Sequence, residues 1–166
     1  NNQPATLRLG TSNGGQQRIE LGLLTPDHEQ NPKMRHNDSH KFESQCIGLT
    51  MPENNSVMFG SLSDSKRGIW VAHGEGKFEL PYAKERYNIV AQYTYDAYPA
   101  HPNGSPYCIA GIAYADDRHF ALMPPLARPL FTWQCGHYHS ASNTAQINPS
   151  LQASSHLRTR IAKHTK

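Results

Sequence analysis

The sequence contains little cysteine and no long apolar run. Its three cysteines, Cys46, Cys108 and Cys135, are an odd set without C-x-x-C spacing, which argues against a disulfide framework and a four-cysteine zinc site. No apolar stretch is long enough to span a bilayer, and the first six residues carry no apolar core of a signal peptide. These absences predict a protein of a reducing compartment, cytoplasmic and without membrane association.

Strong charge is lacking as well. The 166 residues carry a formal net charge of +3 and are 37% hydrophobic, which allows one packed domain and indicates no acidic or basic partner by itself. Residues 140–166 are rich in Ser, Asn and Gln and end in a short basic run, formed by Arg158, Arg160, Lys163 and Lys166. We therefore predict a partial domain over 1–139 and a polar, basic, weakly ordered tail over 140–166.

That basic run has two interpretations. It could contact a phosphate backbone with a salt dependence set by about four contacts. A solvated tail is the preferred interpretation, so nucleic acid is not an expected partner.

The middle of the chain has the sequence pattern of β-strands. Helical periodicity is weak, and six runs are typical of strands: Lys41 to Thr50, Gly68 to His73, Lys77 to Leu80, Asn88 to Tyr95, Ile109 to Ala115 and His119 to Met123. The last two are joined by "DDR", which predicts a hairpin. The polar segment from Asp27 to Ser39 predicts a loop.

The segment "LRLGTSNGGQQRIELGLLTP" predicts a strand, a tight turn and a helix. Gly14 and Gly15 tolerate unusual backbone angles, Gly22 is a candidate helix cap, and Pro26 ends the segment. A turn before a helix N-terminus can hold an anion or a nucleophile. The alternative is an ordinary strand-to-helix turn.

Three further stretches are candidates for chemistry. His73, Gly74 and Glu75 lie in "VAHGEG", where a histidine and a carboxylate could serve as acid and base. "HPNGSP" is a turn signal. "FALMPPLAR" ends a buried strand at the kind of position where active-site residues project, yet Pro125 and its successors cannot move a proton.

A metal site is a weaker hypothesis. The histidines of "CGHYHS", residues 135–140, could bind zinc together with His36 and His40 if the loops converged. Solvated histidines are the preferred interpretation because no matched pair stands at finger spacing.

In this order, the stretches resemble the glutaminase part of the phosphoribosylformylglycinamidine synthase family, which is a class I glutamine amidotransferase. That family carries G-[VI]-C-N-G-C-Q, V-[AS]-H-G-E-G, N-P-N-G-S-x-x-x-I-A-G and M-P-H-x-E-R followed by W-Q. This chain has "GTSNGGQ" at 10–16, "VAHGEG" at 71–76, "PNGSPYCIAG" at 102–111, "MPPLAR" at 123–128 and "WQ" at 133–134, with "HNDSHKFES" at 36–44 in the place of another family segment.

The resemblance implies a lost catalytic triad. Comparison with the motifs places Gly15 where the family has its nucleophilic cysteine, Pro125 where it has the base histidine, and Ala127 where it has the glutamate that orients this histidine. None of these side chains can attack or carry a proton. The remaining candidate substrate-binding residues are Asn13, Gly14, Gln16, His73, Gly74 and Glu75.

The implied fold is α/β, a partial class I glutamine amidotransferase-like (flavodoxin-like) sheet with added antiparallel strands. The elbow strand and helix are expected to belong to a mainly parallel sheet, and the later runs from Lys41 to Tyr95 are expected to add an antiparallel layer. About half of the family's domain precedes this turn, so we expect a fragment or truncated form. We further expect Lys41-Phe42-Glu43 and Trp70-Val71-Ala72 in the packed part.

Three functional interpretations remain open. The first is a degenerate fragment unable to hydrolyse glutamine and not expected to bind it, whose partners are the remaining domains of the synthase. The second is an active segment completed by another chain or by an unrecognised nucleophile, Ser12 or Cys108. The third is a metal- or nucleic-acid-binding module. No cofactor is expected in this segment, since the resemblance implies ATP and magnesium in another domain.

Overall fold

The computed structural model describes residues 7–54, 56–115 and 118–125, together with residues 128, 131 and 134. The predicted tail over 140–166 and the boundary at 139 lie outside these residues, as does Ala127.

Within the described residues, one helix and eight strands follow one another, with three single 3-10 turns between them. Their bounds are β1 Arg8–Thr11, α1 Asn13–Glu20, β2 Lys33–His36, β3 Glu43–Met51, β4 Ser65–His73, β5 Glu75–Glu79, β6 Asn88–Tyr93, β7 Ile109–Ala113 and β8 His119–Leu122. All six strand-like runs of the sequence are strands, with ends shifted by a few residues. The predicted strand, turn and helix at the start of the chain are also confirmed.

Six of the strands form one sheet in the order β1-β8-β7-β6-β3-β4. Only β1 and β8 pair in parallel, and the other described neighbours are antiparallel. The fold class predicted from the sequence is correct, but the expectation of a mainly parallel sheet is wrong for the described residues. The strands β3, β4 and β6 extend the same sheet instead of building a separate layer.

The predicted hairpin is confirmed in its pairing. Strands β7 and β8 are antiparallel neighbours with Ala113 opposite Phe120, and the Tyr114 N–H donates to the His119 carbonyl at 2.9 Å. Residues 116–117 of its tip lie outside the described part.

The segment predicted as a loop contains a strand. Lys33–His36 pairs antiparallel with β5 in a separate two-stranded sheet. The sequence missed it because β2 is largely exposed and polar, so it lacks the alternation of a half-buried strand. Its pairing with β5, some forty residues later, is a tertiary contact.

The two faces of the six-stranded sheet carry separate apolar clusters. On one face, Ile19 and Leu24 from α1 and the following turn pack on Ile109, Ile112 and Met123. The other face is covered by the connection between β3 and β4, whose Met58, Phe59 and Leu62 are buried. The sheet residues beneath that connection include Leu49, Val71, Val90, Phe120 and Leu122.

Burial of the two segments expected in the packed part is mixed. Val71 is fully buried and Glu43 is buried, while Lys41 is exposed and Phe42 is 68% exposed. The expectation is wrong for Lys41 and Phe42, because β3 begins only at Glu43 and the two residues before it belong to a surface loop.

Candidate functional site

The bend between β1 and α1 is at Ser12. This residue has φ 51° and ψ −122°, a combination that residues other than glycine seldom adopt. Its N–H donates to the Leu122 carbonyl at 3.0 Å, and its carbonyl accepts the N–H groups of Gly15 at 2.9 Å and Gln16 at 3.0 Å. The chain therefore turns sharply at a strained residue that is held by the end of β8.

Gly15, which the motif comparison puts at the nucleophilic cysteine, does not make this bend. It is the third residue of α1 and is buried. A Cβ at this position would lie 3.2 Å from the Gly10 carbonyl oxygen and 3.4 Å from that of Leu122. A side chain at position 15 would therefore point into the contact between helix and sheet, whereas the tip of the bend is the half-buried Ser12. The family motif G-[VI]-C-N-G-C-Q has two cysteines, and the first of them falls on Ser12.

The elbow and the predicted base position lie at the same edge of the sheet. Because β1 and β8 are parallel and Thr11 is opposite Leu122, the residues after each strand leave the sheet side by side. Pro125 follows β8 by three positions, is half-buried, and its carbonyl accepts the Arg128 N–H at 3.2 Å. Positions 12 and 125 thus both follow the carboxyl ends of neighbouring parallel strands, and position 125 supplies no ionisable side chain.

The turn formed by residues 73–76 is the second component of the site, and donors from three other segments hold its backbone. Asn37 donates from its side chain to carbonyl 73 at 2.8 Å and from its backbone N–H to carbonyl 74 at 2.9 Å. Gln16 Nε2 donates to carbonyl 75 at 2.6 Å. Asn103 Nδ2 donates to carbonyl 76 at 2.7 Å. Each carbonyl of the 73–76 turn is therefore satisfied, and Gln16 connects the turn to the elbow helix.

The His73 side chain belongs to a buried polar network. Its Nδ1 lies 3.2 Å from Asn37 Oδ1 and its Nε2 lies 3.5 Å from the Tyr93 hydroxyl. Burial lowers the pKa of His73, against smaller raising effects that include the charge of Glu43, its cross-strand partner in the β3–β4 pair. We conclude that His73 is neutral at pH 7 and fixes the turn, because both ring nitrogens face protein groups.

The other sequence-predicted residues lie around the elbow. Asn13 is exposed, and a Cβ built on Gly14 would meet no atom within 4 Å, so this first turn of α1 faces open space. Glu75 is exposed and its carboxylate lies 3.3 Å from His36 Nδ1. Of the predicted substrate-binding residues, Gln16 and the 73–76 turn are brought together by a direct contact.

Sequence reasoning missed Asn37, Tyr93 and Asn103, which are buried in this network. The two asparagines lie in "HNDS" and "HPNGS", which by themselves indicate only a family match and a turn. The side-chain amides of Asn37 and Asn103 bind carbonyl groups that lie 36 and 27 residues away in the sequence, so no local pattern indicates these contacts.

The remaining candidates do not form a second reactive centre in the described residues. Burial raises the pKa of the Cys108 thiol, the opposite of what a nucleophilic cysteine requires.

No group of three or more His, Cys, Asp or Glu side chains in the described ranges could hold a metal ion. Residues 135–140 and the basic run lie outside those ranges. No helix in the same ranges is long and apolar enough to cross a bilayer.

The model of the CobB/CobQ-like glutamine amidotransferase domain family matches residues 1–157 of this chain. Phosphoribosylformylglycinamidine synthase of Drosophila melanogaster is 35% identical over 133 residues, covering 70% of this chain and 10% of that protein. A probable phosphoribosylformylglycinamidine synthase of Arabidopsis thaliana is 32% identical over 167 residues, covering 89% of this chain and 12% of that protein. The chain thus spans about a tenth of the length of these relatives.

Solved structures show the same fold. The structure of PurLQS from Thermotoga maritima matches with a TM-score of 0.68 and 26% identity, covering 99% of this chain and 64% of that one. A putative GMP synthase protein from Thermoplasma acidophilum matches with a TM-score of 0.55 and 11% identity, covering 95% of this chain and 58% of that one. At that identity the second match concerns the fold alone.

Proposed function

The chain belongs to the CobB/CobQ-like glutamine amidotransferase family, and from this premise we propose that it is a glutaminase-type domain of a phosphoribosylformylglycinamidine synthase that does not hydrolyse glutamine. The names of the relatives and the order of the sequence motifs support the assignment of the domain to a phosphoribosylformylglycinamidine synthase. The chemistry at the elbow supports the loss of hydrolysis.

The observation that carries the proposal is the chemistry of the residues that follow the carboxyl ends of the parallel strands β1 and β8, which include Ser12 and Pro125. In this proposal Ser12, rather than Gly15, takes the nucleophile position. Hydrolysis of a carboxamide needs an activated nucleophile, a base that later protonates the leaving ammonia, and a group that orients this base. Pro125 cannot act as the base that would activate the Ser12 hydroxyl. The neutral His73 side chain is already held by Asn37 and Tyr93.

Without turnover, the domain has a structural or regulatory role within the longer synthase. The 73–76 turn and the elbow keep their shape through hydrogen bonds that do not involve a triad. The ATP- and magnesium-dependent step belongs to the rest of the polypeptide in this proposal, and the cytoplasm is the proposed location.

A glutaminase assay tests the loss of hydrolysis. Ammonia release by the purified 166-residue chain should equal the rate without protein, and millimolar glutamine should leave its melting temperature unchanged, since a ligand stabilises only the state that binds it. Glutamine-dependent ammonia release that is lost in Ser12→Ala would overturn the proposal.

Two cysteine variants test which position is the tip of the elbow. Ser12→Cys should react readily with iodoacetamide, whereas Gly15→Cys should react slowly because its Cβ faces the carbonyls of Gly10 and Leu122. Intact-mass measurement with the native cysteines replaced by serine in both variants reports the difference. Faster labelling at position 15 would show that Gly15, and not Ser12, occupies the position of the nucleophile.

One observation favours a second candidate, an active segment completed by another chain. The strained backbone at Ser12 is retained, and strain of this kind concentrates at functional sites. Under this alternative, a glutamine-like electrophile such as a diazoketone modifies Ser12 in the whole synthase and not in the 166-residue chain. Peptide mass spectrometry of both samples distinguishes the two candidates.

A further inference from the structure

The chain contains two Asn-Gly pairs, Asn13-Gly14 at the elbow and Asn103-Gly104 in the connection between β6 and β7. Asparagine is a thermolabile residue, and a following glycine favours its deamidation, because no side chain hinders attack by the glycine nitrogen on the asparagine amide. Nothing in the proposed function involves this reaction. The structure places the two pairs in opposite environments.

The pair at the elbow is open to solvent and weakly held. Asn13 is exposed and is the first residue of α1. Within the described residues, neither its side chain nor the Gly14 N–H makes a hydrogen bond. A Cβ built on Gly14 would meet no atom within 4 Å. The Asn13 amide is therefore free to rotate, and solvent has access to this side of the helix.

The reaction requires the first turn of α1 to open, since a helical ψ at Asn13 holds the Gly14 nitrogen away from the side-chain amide carbon. The helix has eight residues, and Ser12 supplies no side-chain hydrogen bond as a cap. Opening exchanges the two bonds at the Ser12 carbonyl for bonds to water, and it relieves the strained backbone of Ser12. Helix ends fray at little cost in free energy, so the reactive conformation is accessible.

The second pair is held by the buried network of the 73–76 turn. Asn103 is fully buried, and its Nδ2 donates to the Gly76 carbonyl at 2.7 Å and to the Tyr93 hydroxyl at 3.1 Å. Its Oδ1 accepts the Ser105 N–H at 3.1 Å and the Ser105 hydroxyl at 2.9 Å. Rotation of this amide toward the Gly104 nitrogen would break these hydrogen bonds in the interior. The folded chain therefore protects Asn103.

We propose that Asn13 is a site of spontaneous deamidation and that the isoaspartate product disrupts the elbow. The Gly14 nitrogen, after losing its proton to solvent, attacks Cγ of Asn13. A C–N bond forms, the Cγ–Nδ2 bond breaks, and ammonia leaves with a proton from water. Water then opens the succinimide. Cleavage of the bond between the Gly14 nitrogen and Cγ gives aspartate, and cleavage of the bond to the main-chain carbonyl carbon gives isoaspartate.

The two products differ in their effect on the fold. Isoaspartate adds a methylene group to the main chain before Gly14, which shifts the N–H groups of Gly15 and Gln16 away from the Ser12 carbonyl that accepts them. The same shift moves Gln16 Nε2 away from carbonyl 75, so the elbow and the 73–76 turn lose their direct contact. Aspartate keeps the length of the main chain and places a negative charge at a helix N-terminus, where it is favourable.

Peptide mapping tests the site. The 166-residue chain is incubated in mildly alkaline buffer with and without urea, and trypsin then releases residues 9–18 and 87–118, which carry one Asn-Gly pair each. In the folded chain, peptide 9–18 should gain the mass of the carboxyl product at least about tenfold faster than peptide 87–118, whereas the two rates should be similar in urea. Equal rates in the folded chain, or an unmodified peptide 9–18, overturn the proposal.

Two variants check the chemistry. Gly14→Ala should slow the modification about tenfold in urea, where helix stability plays no part, because its methyl group hinders the attacking nitrogen. Asn13→Gln should abolish the modification of peptide 9–18 and leave that of peptide 87–118 as in the parent. Modification of peptide 9–18 in Asn13→Gln would show that another residue reacts, and it would overturn the assignment of the site.

The separated products test the effect on the elbow. Chromatography isolates the isoaspartate form, which a protein isoaspartyl methyltransferase identifies by methyl transfer from S-adenosylmethionine. This form should melt below the parent, whereas Asn13→Asp should melt at the same temperature or higher. An isoaspartate form that melts with the parent overturns the proposed disruption. None of these measurements contains glutamine, so this proposal and the proposed loss of hydrolysis can fail separately.

Discussion

At the scale of single residues, the approach of α1 to β1 depends on glycine at position 10. A Cβ on Gly10 would collide with the Gly14 carbonyl and with the Arg18 side chain. The carbonyl belongs to the first turn of the helix, so the collision cannot be relieved by rotating a side chain. Gly14, four residues later, has open space where its Cβ would be.

This difference predicts opposite outcomes for two alanine variants. Gly10→Ala should lower the free energy of unfolding by about 1–3 kcal/mol, the usual cost of overpacking. Gly14→Ala should leave it unchanged or raise it by up to about 1 kcal/mol, because alanine favours a helix. Urea denaturation measures both. A Gly10→Ala loss no larger than that of its control would show that the helix can move away from the strand.

The buried histidines predict a dependence of stability on pH. Burial lowers the pKa values of His73 and His101 in the folded chain, while the unfolded chain keeps a value near 6.5. As the pH falls through about 6.5, the unfolded state takes up protons that the folded state does not, so stability is lost. Each unit of separation contributes at most about 1.4 kcal/mol.

Denaturation midpoints between pH 7.5 and 5 check this expectation. His73→Gln keeps hydrogen-bonding groups near Asn37 and Tyr93 but does not titrate, so its stability should fall less steeply with acidity. His40→Gln changes an exposed histidine that forms no ion pair within the described residues, so it serves as the comparison and should follow the parent. Parallel curves for the parent and His73→Gln would mean that His73 contributes nothing to the acid sensitivity.

At the scale of elements, the elbow is strained at its start and regular at its end. After α1, Gly22 has φ +66°, its N–H donates to the Ile19 carbonyl, and the Leu23 N–H donates to the Arg18 carbonyl. This is a Schellman cap, and it confirms that Gly22 terminates the helix. At the other end, Ser12 keeps a positive φ without the freedom of glycine.

Relief of that strain is measurable. Ser12→Gly should raise the free energy of unfolding by about 1 kcal/mol, since the strain of about 1–3 kcal/mol outweighs the added flexibility of glycine. Ser12→Val should lower it, because a β-branched residue tolerates positive φ poorly. Ser61→Gly changes a serine without positive φ and should be neutral or destabilising. If Ser12→Gly destabilised the chain as much as Ser61→Gly does, the bend would store no strain.

At the scale of the whole molecule, the sheet holds the elbow and the 73–76 turn in fixed relation. The parallel pair β1–β8 sets the edge of the sheet after which positions 12 and 125 follow, and the antiparallel extension from β7 to β4 supplies the 73–76 turn. The domain boundary predicted at 139 remains a prediction, and the family match extends beyond it to residue 157.

Two truncations test that boundary. If residues 140–166 form a weakly ordered tail, chains ending at His139 and at Leu157 should melt at the same temperature as the whole chain, because a disordered segment contributes no packing. A lower melting temperature for the chain ending at His139 alone would place the boundary between the two end points. Differential scanning calorimetry on the three chains provides the measurement.

The sequence by itself determined the strands, the elbow helix and its cap, and the family, because alternation, glycine positions and motif order are local properties. It did not determine strand β2 or the position of the bend. The motif contains two cysteine positions only three residues apart, and the choice between residues 12 and 15 depends on backbone angles. The hydrogen bonds of Asn37 and Asn103 to the 73–76 turn and the pairing of β2 with β5 join segments far apart in the chain. Only the tertiary structure decided these, because a long-range contact leaves no periodicity in the residues that make it.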